Sequence, residues 1–363
     1  MSILAAIAVL ALLIVVHELG HFMAARLQGI HANRFSIGFG PILAKYQGAE
    51  TEYAIRAFPL GGFVGFPDDE PESKYPPNDP NLLRNRPILD RAIVISAGVI
   101  ANLVFAYLLL VTQVGFVGVQ DFSARPGVLV PEIATDVSSA ASQAGIKSGD
   151  IVLSVDGQPI DGSQTGLFAL KQKIQSHPQE PIQLTLKRGE ETFETTVTPD
   201  RGKDGKGQIG VRLAPNGKLI RKHPDSIFQV FGTAAEEFQR IAVLTVQGFG
   251  QLISNFSETA DQVSGPVAIV AIGADIARSD ASNLFQFAAL ISINLAIINI
   301  LPLPALDGGQ LAFLFIEGLR GKPLPTHIQD GVMQTGLMLL LGLGIFLILR
   351  DTANLPWIQK LLQ

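Results

Sequence analysis

Apolar and polar positions alternate along this chain in two distinct ways. Four stretches are nearly free of polar side chains: residues 2–24, 90–117, 285–301 (continuing to 318 after a break) and 332–349. Each approaches the roughly 20 residues that a helix needs to cross a bilayer. The first contains the uncharged run ILAAIAVLALLIVV, and the fourth, VMQTGLMLLLGLGIFLIL, has no ionisable group. Between 120 and 220 the pattern becomes short runs, GVLVPEI, DIVLSVDG, PIQLTLKRG, TFETTVTP and GQIGVRL, with one helical stretch near 166–176. Such runs bounded by turn residues predict strands, so this segment reads as a small α+β domain. Residues 227–256 follow a helical period with Glu236, Glu237 and Arg240 clustered on it. That pattern predicts a helix on the membrane surface or against the spans rather than across the bilayer, with a fifth span as the alternative.

The segment between the first two spans has its own character. Alternation in TEYAIRAF and the Gly and Pro of FPLGGFVGF predict short strands and turns, a β-hairpin in outline. FPLGGFVGF is greasy enough to enter the membrane, provided that protein or a wet cavity satisfies its backbone. The following PDDEPESKYPPNDPN reads as an exposed connector. The predicted fold is therefore a polytopic α-helical membrane protein of about four transmembrane helices. It carries a membrane-associated β-hairpin and an inserted α+β domain. The divisions fall at 1–119, 120–220, 221–283 and 284–363.

Composition agrees with a mixed molecule: of 363 residues 47% are hydrophobic, yet 16% are charged. A net charge of −5 gives no reason to expect a nucleic-acid partner. With no cysteine in the chain, disulfides, thiolate nucleophiles and Cys-ligated metals are excluded. No basic residue precedes the first apolar run and no small-residue cleavage pattern follows it, so it reads as a retained span. The loop between spans one and two carries Arg26, Arg34, Lys45, Arg56, Lys74, Arg84, Arg86 and Arg91, and the loop before the fourth span carries Arg320 and Lys322. The positive-inside bias puts both loops in the cytosol and the α+β domain on the opposite side.

His17-Glu18-Leu19-Gly20-His21 lies at the inner end of the first span. On a helix, positions i and i+4 share a face, so both imidazoles reach one ion, and Glu18 can stand beside a water and take its proton. Ionisable groups within an apolar helix are expensive and usually functional. A catalytic zinc needs a third protein ligand. His31, His177, His223 and His327 lie outside the spans, which leaves Asp307, delivered to depth by the third apolar segment after Pro302 and Pro304 break its helix. His17 is about 21 Å along the helix from Ile3, so both parts of the site come to the cytosolic end. The alternative for Asp307 is a helix cap at DGGQLAFLF.

HELGH in the first span together with NILPLPALDGG in the third resembles the site-2 protease family of membrane-embedded zinc metalloproteases. Asn299, Pro302, Pro304, Leu306, Asp307, Gly308 and Gly309 match its second motif. Gly98 and Asn102 in SAGVIAN are similar to its G-x-x-x-N, SGPVAI (264–269) to the signature before span three, and FSIGFGP with PLGGFVGF to its hairpin segment. GFPDDEP followed by NRPILDR resembles the cyanobacterial and plastid branch. The resemblance implies one Zn2+ held by His17, His21 and Asp307, with Glu18 as general base and acid. It also implies Asn299, Asn294, Asn102 and Pro304 as substrate-binding or oxyanion-steadying residues. Gly61 and Gly62 of the hairpin would hold an unwound substrate as an added strand. AGIKSGDIVLSVDGQPI (144–160) resembles the PDZ domain of bacterial proteases, with Gly127, Val128, Leu129 and Val130 in the place of the peptide-docking strand.

The function expected is thus hydrolysis of peptide bonds within or near the transmembrane segments of single-span proteins, of the anti-sigma-factor or signal-peptide-remnant type. The expected setting is a bacterial inner membrane (plasma or thylakoid in a cyanobacterium), with lipid and a PDZ peptide ligand as further partners. Two rivals stand beside it. A metal or proton-coupled transporter predicts polar groups strung along a path. A catalytically silent PDZ scaffold has no need of Glu18.

Overall fold

The structure, a computed structural model, describes residues 2–69, 73–134, 138–202, 204–255 and 263–354. The connector expected at 67–81 thus lies outside the described residues at 70–72. The chain forms two compact units, residues 1–117 with 223–363 and residues 118–222.

The first unit is helical. Four of its helices are long and apolar enough to cross a membrane, at 2–27, 88–117, 281–300 and 326–353. These contain α1 (Ser2–Leu27) and α2 (Ile88–Thr112), the latter prolonged by a π-turn at Gln113–Val117. After the second unit come α5 (Ile227–Ser254), α6 (Pro266–Ser279), α7 (Leu284–Ile300), α8 (Asp307–Arg320) and α9 (Thr326–Ala353).

Lipid gives apolar helices no hydrophobic reason to associate, so small residues and polar links must do the joining. Gly20 supplies the first: a Cβ there would stand 2.5 Å from the Ala97 carbonyl oxygen and 2.7 Å from Ala101 Cβ, so α1 and α2 touch backbone to backbone. Between α2 and α7, Ser292 Oγ donates to the Asn102 carbonyl at 2.8 Å. Arg91 at the start of α2 makes a two-pronged ion pair with Glu317 of α8. On α5, Glu237 takes hydrogen bonds from Arg240 and from Gln286 of α7. Helix α5 packs on α2 and α7 and is not one of the four candidate spans. At the start of α6 the cap residue is Gly265, which has no side chain; the Asp351 carboxylate of α9 accepts the Ala268 N–H at 2.9 Å instead.

Residues 34–65 are more elaborate than the expected hairpin. The strands β1 (Arg34–Gln47) and β2 (Glu52–Gly65) each fold back on themselves. Residues 44–47 run antiparallel to 52–55, which run parallel to 34–37, which run antiparallel to 62–65. The result is a small four-stranded mixed sheet with 62–65 at one edge. Gly38, Gly40 and Gly61 permit it, since φ there is +88°, +83° and +140°, values that side-chain-bearing residues rarely adopt. Phe22 of α1 packs on Phe35 with ring centroids 5.3 Å apart, and with Ala32 they form a buried cluster. The sheet is thereby anchored at the residue that directly follows HELGH.

The second unit comprises β3 (Val119–Ile133), α3 (Ala140–Gln143), β4 (Ile151–Val155), β5 (Gln158–Pro159), α4 (Gln164–Ser176), β6 (Ile182–Arg188), β7 (Glu191–Val197), β8 (Asp200–Arg201), β9 (Gly207–Gln208) and β10 (Val211–Lys222). Its main sheet has the order β10-β3-β4-β6-β7, with β5 added on β4. Alternate residues such as Val128, Val130, Val152, Leu184 and Leu186 enter one core with Leu170 of α4. Ser163 caps α4 by accepting from Thr165 N at 3.1 Å. Asp150 has no exposed surface; its carboxylate is clasped by Arg188 Nε and Nη2 at 2.7 and 2.8 Å.

This sheet corrects one expectation. Gly127–Val130 is not a free docking strand, because Val128 and Leu129 pair with Val152 and Ile151 of β4 on one side and with Pro215 and Ala214 of β10 on the other. A strand with both edges hydrogen-bonded has nothing left to offer an added peptide. The edges of the main path are β10 and β7, and α4 packs against β10.

Candidate metal centre

The third apolar segment ends in an irregular turn that decides where Asp307 points. Helix α7 stops at Ile300, and Pro302 and Pro304 prevent its continuation. Ala305 then adopts φ +69°, an unusual value for alanine. Two glycines follow because nothing larger fits: a Cβ on Gly308 would stand 2.1 Å from the Leu301 carbonyl oxygen, and one on Gly309 2.3 Å from that of Leu303. The first turn of α8 therefore tucks under the end of α7. The cap position belongs to Leu306, and Asp307 is the first helical residue. Its carboxylate turns instead toward α1, which sets aside a capping role.

There it meets the two imidazoles. Asp307 Oδ2 is 3.3 Å from His17 Nε2 and 3.4 Å from His21 Nε2, and the two nitrogens are 3.2 Å apart. Among the described residues this is the only group of His, Asp and Glu donors placed to share an ion. A single compact cluster differs from the strung-out polar path a transporter predicts. The triangle fits a tetrahedral ion: bonds of about 2.0–2.1 Å place ligand atoms about 3.3–3.4 Å apart. The chemistry agrees as well. Asp307 Oδ2 is buried and, among the described residues, makes no hydrogen bond of acceptable geometry despite its two nitrogen neighbours, as expected of three atoms facing a common centre. Two neutral nitrogens and one carboxylate form a donor set that zinc accepts.

Helix α2 backs the pair. Gly98 lies under the rings, where a Cβ would be 2.3 Å from His21 Nε2 and 2.8 Å from His17 Cε1. His21 Nδ1 donates to the Val94 carbonyl at 2.9 Å, which turns Nε2 toward the centre. Glu18 is one residue along the same helix, with its carboxylate against the Val64 backbone. A Cβ on Gly62 would stand 2.9 Å from Glu18 Cγ, so the edge strand 62–65 borders Glu18 directly. Gly61 lies under the Phe39 ring.

The remaining expected residues divide. Asn299 is half-buried beside the triangle, its Nδ2 3.5 Å from His17 Nε2. Asn294 is engaged elsewhere, since its Oδ1 accepts from Thr245 of α5 at 2.9 Å. Asn102 is 0% exposed, so in this arrangement it offers no surface to a substrate. Pro304 packs into the notch left by Gly336 of α9, where a Cβ would be 2.2 Å from its own. Met333, one turn earlier, receives the Ala305 N–H on its Sδ at 3.3 Å. Neither Gly336 nor Met333 stands out in the sequence, where both are minor interruptions of an apolar run.

Comparison with known proteins bears on this geometry. The model of peptidase family M50 matches residues 5–343. A Nostoc sp. (strain PCC 7120) protein named "Putative zinc metalloprotease" is 65% identical over 367 residues, covering 100% of both chains. The chloroplastic "Membrane metalloprotease ARASP" of Arabidopsis thaliana is 51% identical, covering 99% of this chain and 81% of its own. The "Protease RseP" of Yersinia pestis is 30% identical, covering 95% and 97%. A solved PDZ domain of an SdrC-like protein from Listeria monocytogenes aligns with 24% of this chain and 86% of its own, at 22% identity and a TM-score of 0.21. The family match runs through all four apolar helices and both halves of the donor triangle, and this chain belongs to peptidase family M50, the site-2 proteases.

Proposed function

We propose that this chain is an intramembrane zinc endopeptidase whose ion is held by His17, His21 and Asp307. The observation that carries the reading is the donor triangle, with edges of 3.2, 3.3 and 3.4 Å, assembled from two helices, one of which also carries Glu18. Bound zinc supplies Lewis-acid polarisation of a carbonyl and acidification of a water molecule. The chain's own residues do the rest. Glu18 takes the proton of the attacking water and returns it to the leaving amide nitrogen. Asn299, half-buried and close to His17 Nε2, donates its amide N–H to the carbonyl oxygen as charge develops there.

A substrate helix conceals its carbonyls, so a stretch of it must unwind before it reacts. The edge strand 62–65, bordering Glu18, offers the released backbone new partners by strand addition. The substrates are accordingly single-span proteins with helix-weakening residues near the cut, such as membrane-tethered anti-sigma factors and spent signal peptides. The site would face the cytosol from a bacterial inner membrane, and the basic loops support that orientation. The deciding experiment is Glu18→Gln in detergent, with metal analysis and cleavage of a model single-span substrate. Zinc should be retained and cleavage abolished. Undiminished cleavage would remove Glu18 from the mechanism, and metal-free wild-type protein would undo the site.

A further inference from the structure

His21 is oriented by a backbone carbonyl, yet among the described residues no backbone carbonyl is hydrogen-bonded to His17 Nδ1. Its Nδ1 faces the side chain of Asn102, with Asn102 Nδ2 placed 3.3 Å away. Asn102 has no exposed surface, and Ser292 of α7 holds its own carbonyl at 2.8 Å. Its Oδ1 is buried without a hydrogen-bond partner among the described residues. An imidazole that gives its Nε2 lone pair to an ion must carry its proton on Nδ1, so the neighbour of Nδ1 has to accept. The two ends of a carboxamide have nearly the same shape, and the hydrogen-bond requirement decides which one faces a given atom. With the oxygen turned toward His17, the otherwise orphaned acceptor receives the Nδ1 proton.

Resting on the zinc reading above, we infer that Asn102 is a positioning residue. Its amide oxygen accepts from His17 Nδ1–H and fixes the tautomer and ring plane that aim Nε2 at the ion. Val94, Gly98 and Asn102 are spaced i, i+4, i+8 and so form one stripe of α2. Val94 orients His21, Gly98 makes room for both rings, and Asn102 orients His17. This also gives the G-x-x-x-N pattern a physical meaning. The glycine and the asparagine serve the two ligands of one helix from the neighbouring helix, and the asparagine does so without contacting substrate.

The test uses the full-length protein in detergent, comparing wild type with Asn102→Leu and Asn102→Asp. Zinc affinity is measured by competition with a chelator, and the ligand field from the visible spectrum of the cobalt-substituted protein. Removing such a supporting partner weakens metal binding about 10–100-fold. Asn102→Leu should show that loss and an altered cobalt spectrum. Asn102→Asp, whose side chain can only accept, should return affinity and spectrum to wild-type values. If Leu is not tolerated, Asn102→Ala makes the same comparison. Wild-type affinity and spectrum in the Leu or Ala variant would overturn the inference, as would an Asp variant as weak as Leu. A residue that merely joins helices would lower thermal stability in the variants and leave the cobalt spectrum unmoved. Failure of the wild-type protein to bind zinc is a different result, which removes the proposed function and this inference with it.

Discussion

Gly98→Ala is the smallest change that separates the site from the scaffold. The added methyl would sit 2.3 Å from His21 Nε2, 2.7 Å from His21 Cε1 and 2.8 Å from His17 Cε1. Ordinary contacts are about 3.5 Å, so the His21 ring must retreat by about 1.2 Å and the His17 ring by about 0.7 Å. The helices cannot separate to absorb this cheaply, because Gly20 already holds α1 against the Ala97 backbone. Metal–ligand distances tolerate only about 0.2 Å. A misplacement near 1 Å costs on the order of 100-fold, or about 2.7 kcal/mol. Alanine in place of glycine within a helix favours the fold by about 0.5–1 kcal/mol. The variant should therefore extract as well as wild type and melt no lower in detergent, yet bind zinc and cleave a single-span substrate about 100-fold less well. A zinc-replete Gly98→Ala protein cleaving within about threefold of wild type would refute the packing argument, since a 100-fold loss follows from the displacement.

Two further expectations rest on other parts of the molecule. Gly336→Leu should push α9 off Pro304 and release the turn that presents Asp307, lowering zinc affinity at least about tenfold; Gly342→Leu, on the same helix with nothing within 4 Å, should not. In the 118–222 unit, burial would raise the Asp150 carboxyl, but hydrogen bonds from Arg188 and from Lys147 N–H outweigh it and hold the group below the usual carboxylate range. The stability this contributes is complete above the unfolded value, about 3.9, and is lost as pH falls through the lower folded value. Urea titration of a 118–222 fragment should show that acid limb, and Asp150→Asn should flatten it; an unchanged limb would assign the acid sensitivity elsewhere.

The sequence by itself determined the elements whose cause is local. Runs of apolar residues long enough for a bilayer became four helices, because in lipid a backbone can satisfy its hydrogen bonds only within itself. HELGH placed two imidazoles on one helical face because helix geometry requires it. The proline and glycine run of 302–309 announced a break, and that break proved to be the turn presenting Asp307.

Tertiary structure alone decided what depends on partners distant in the chain. Only the packed helices show Val94 behind His21, Asn102 sealed behind His17 and Gly336 receiving Pro304. Only the ladder shows that Gly127–Val130 is interior and that two long strands make four. Strand-like patterning tells which residues alternate, but it does not tell which edges are already hydrogen-bonded. An asparagine likewise reads the same in sequence whether it faces a substrate or the back of a metal ligand. Its role is set by which neighbours exclude water from it, and those neighbours come from other segments of the fold.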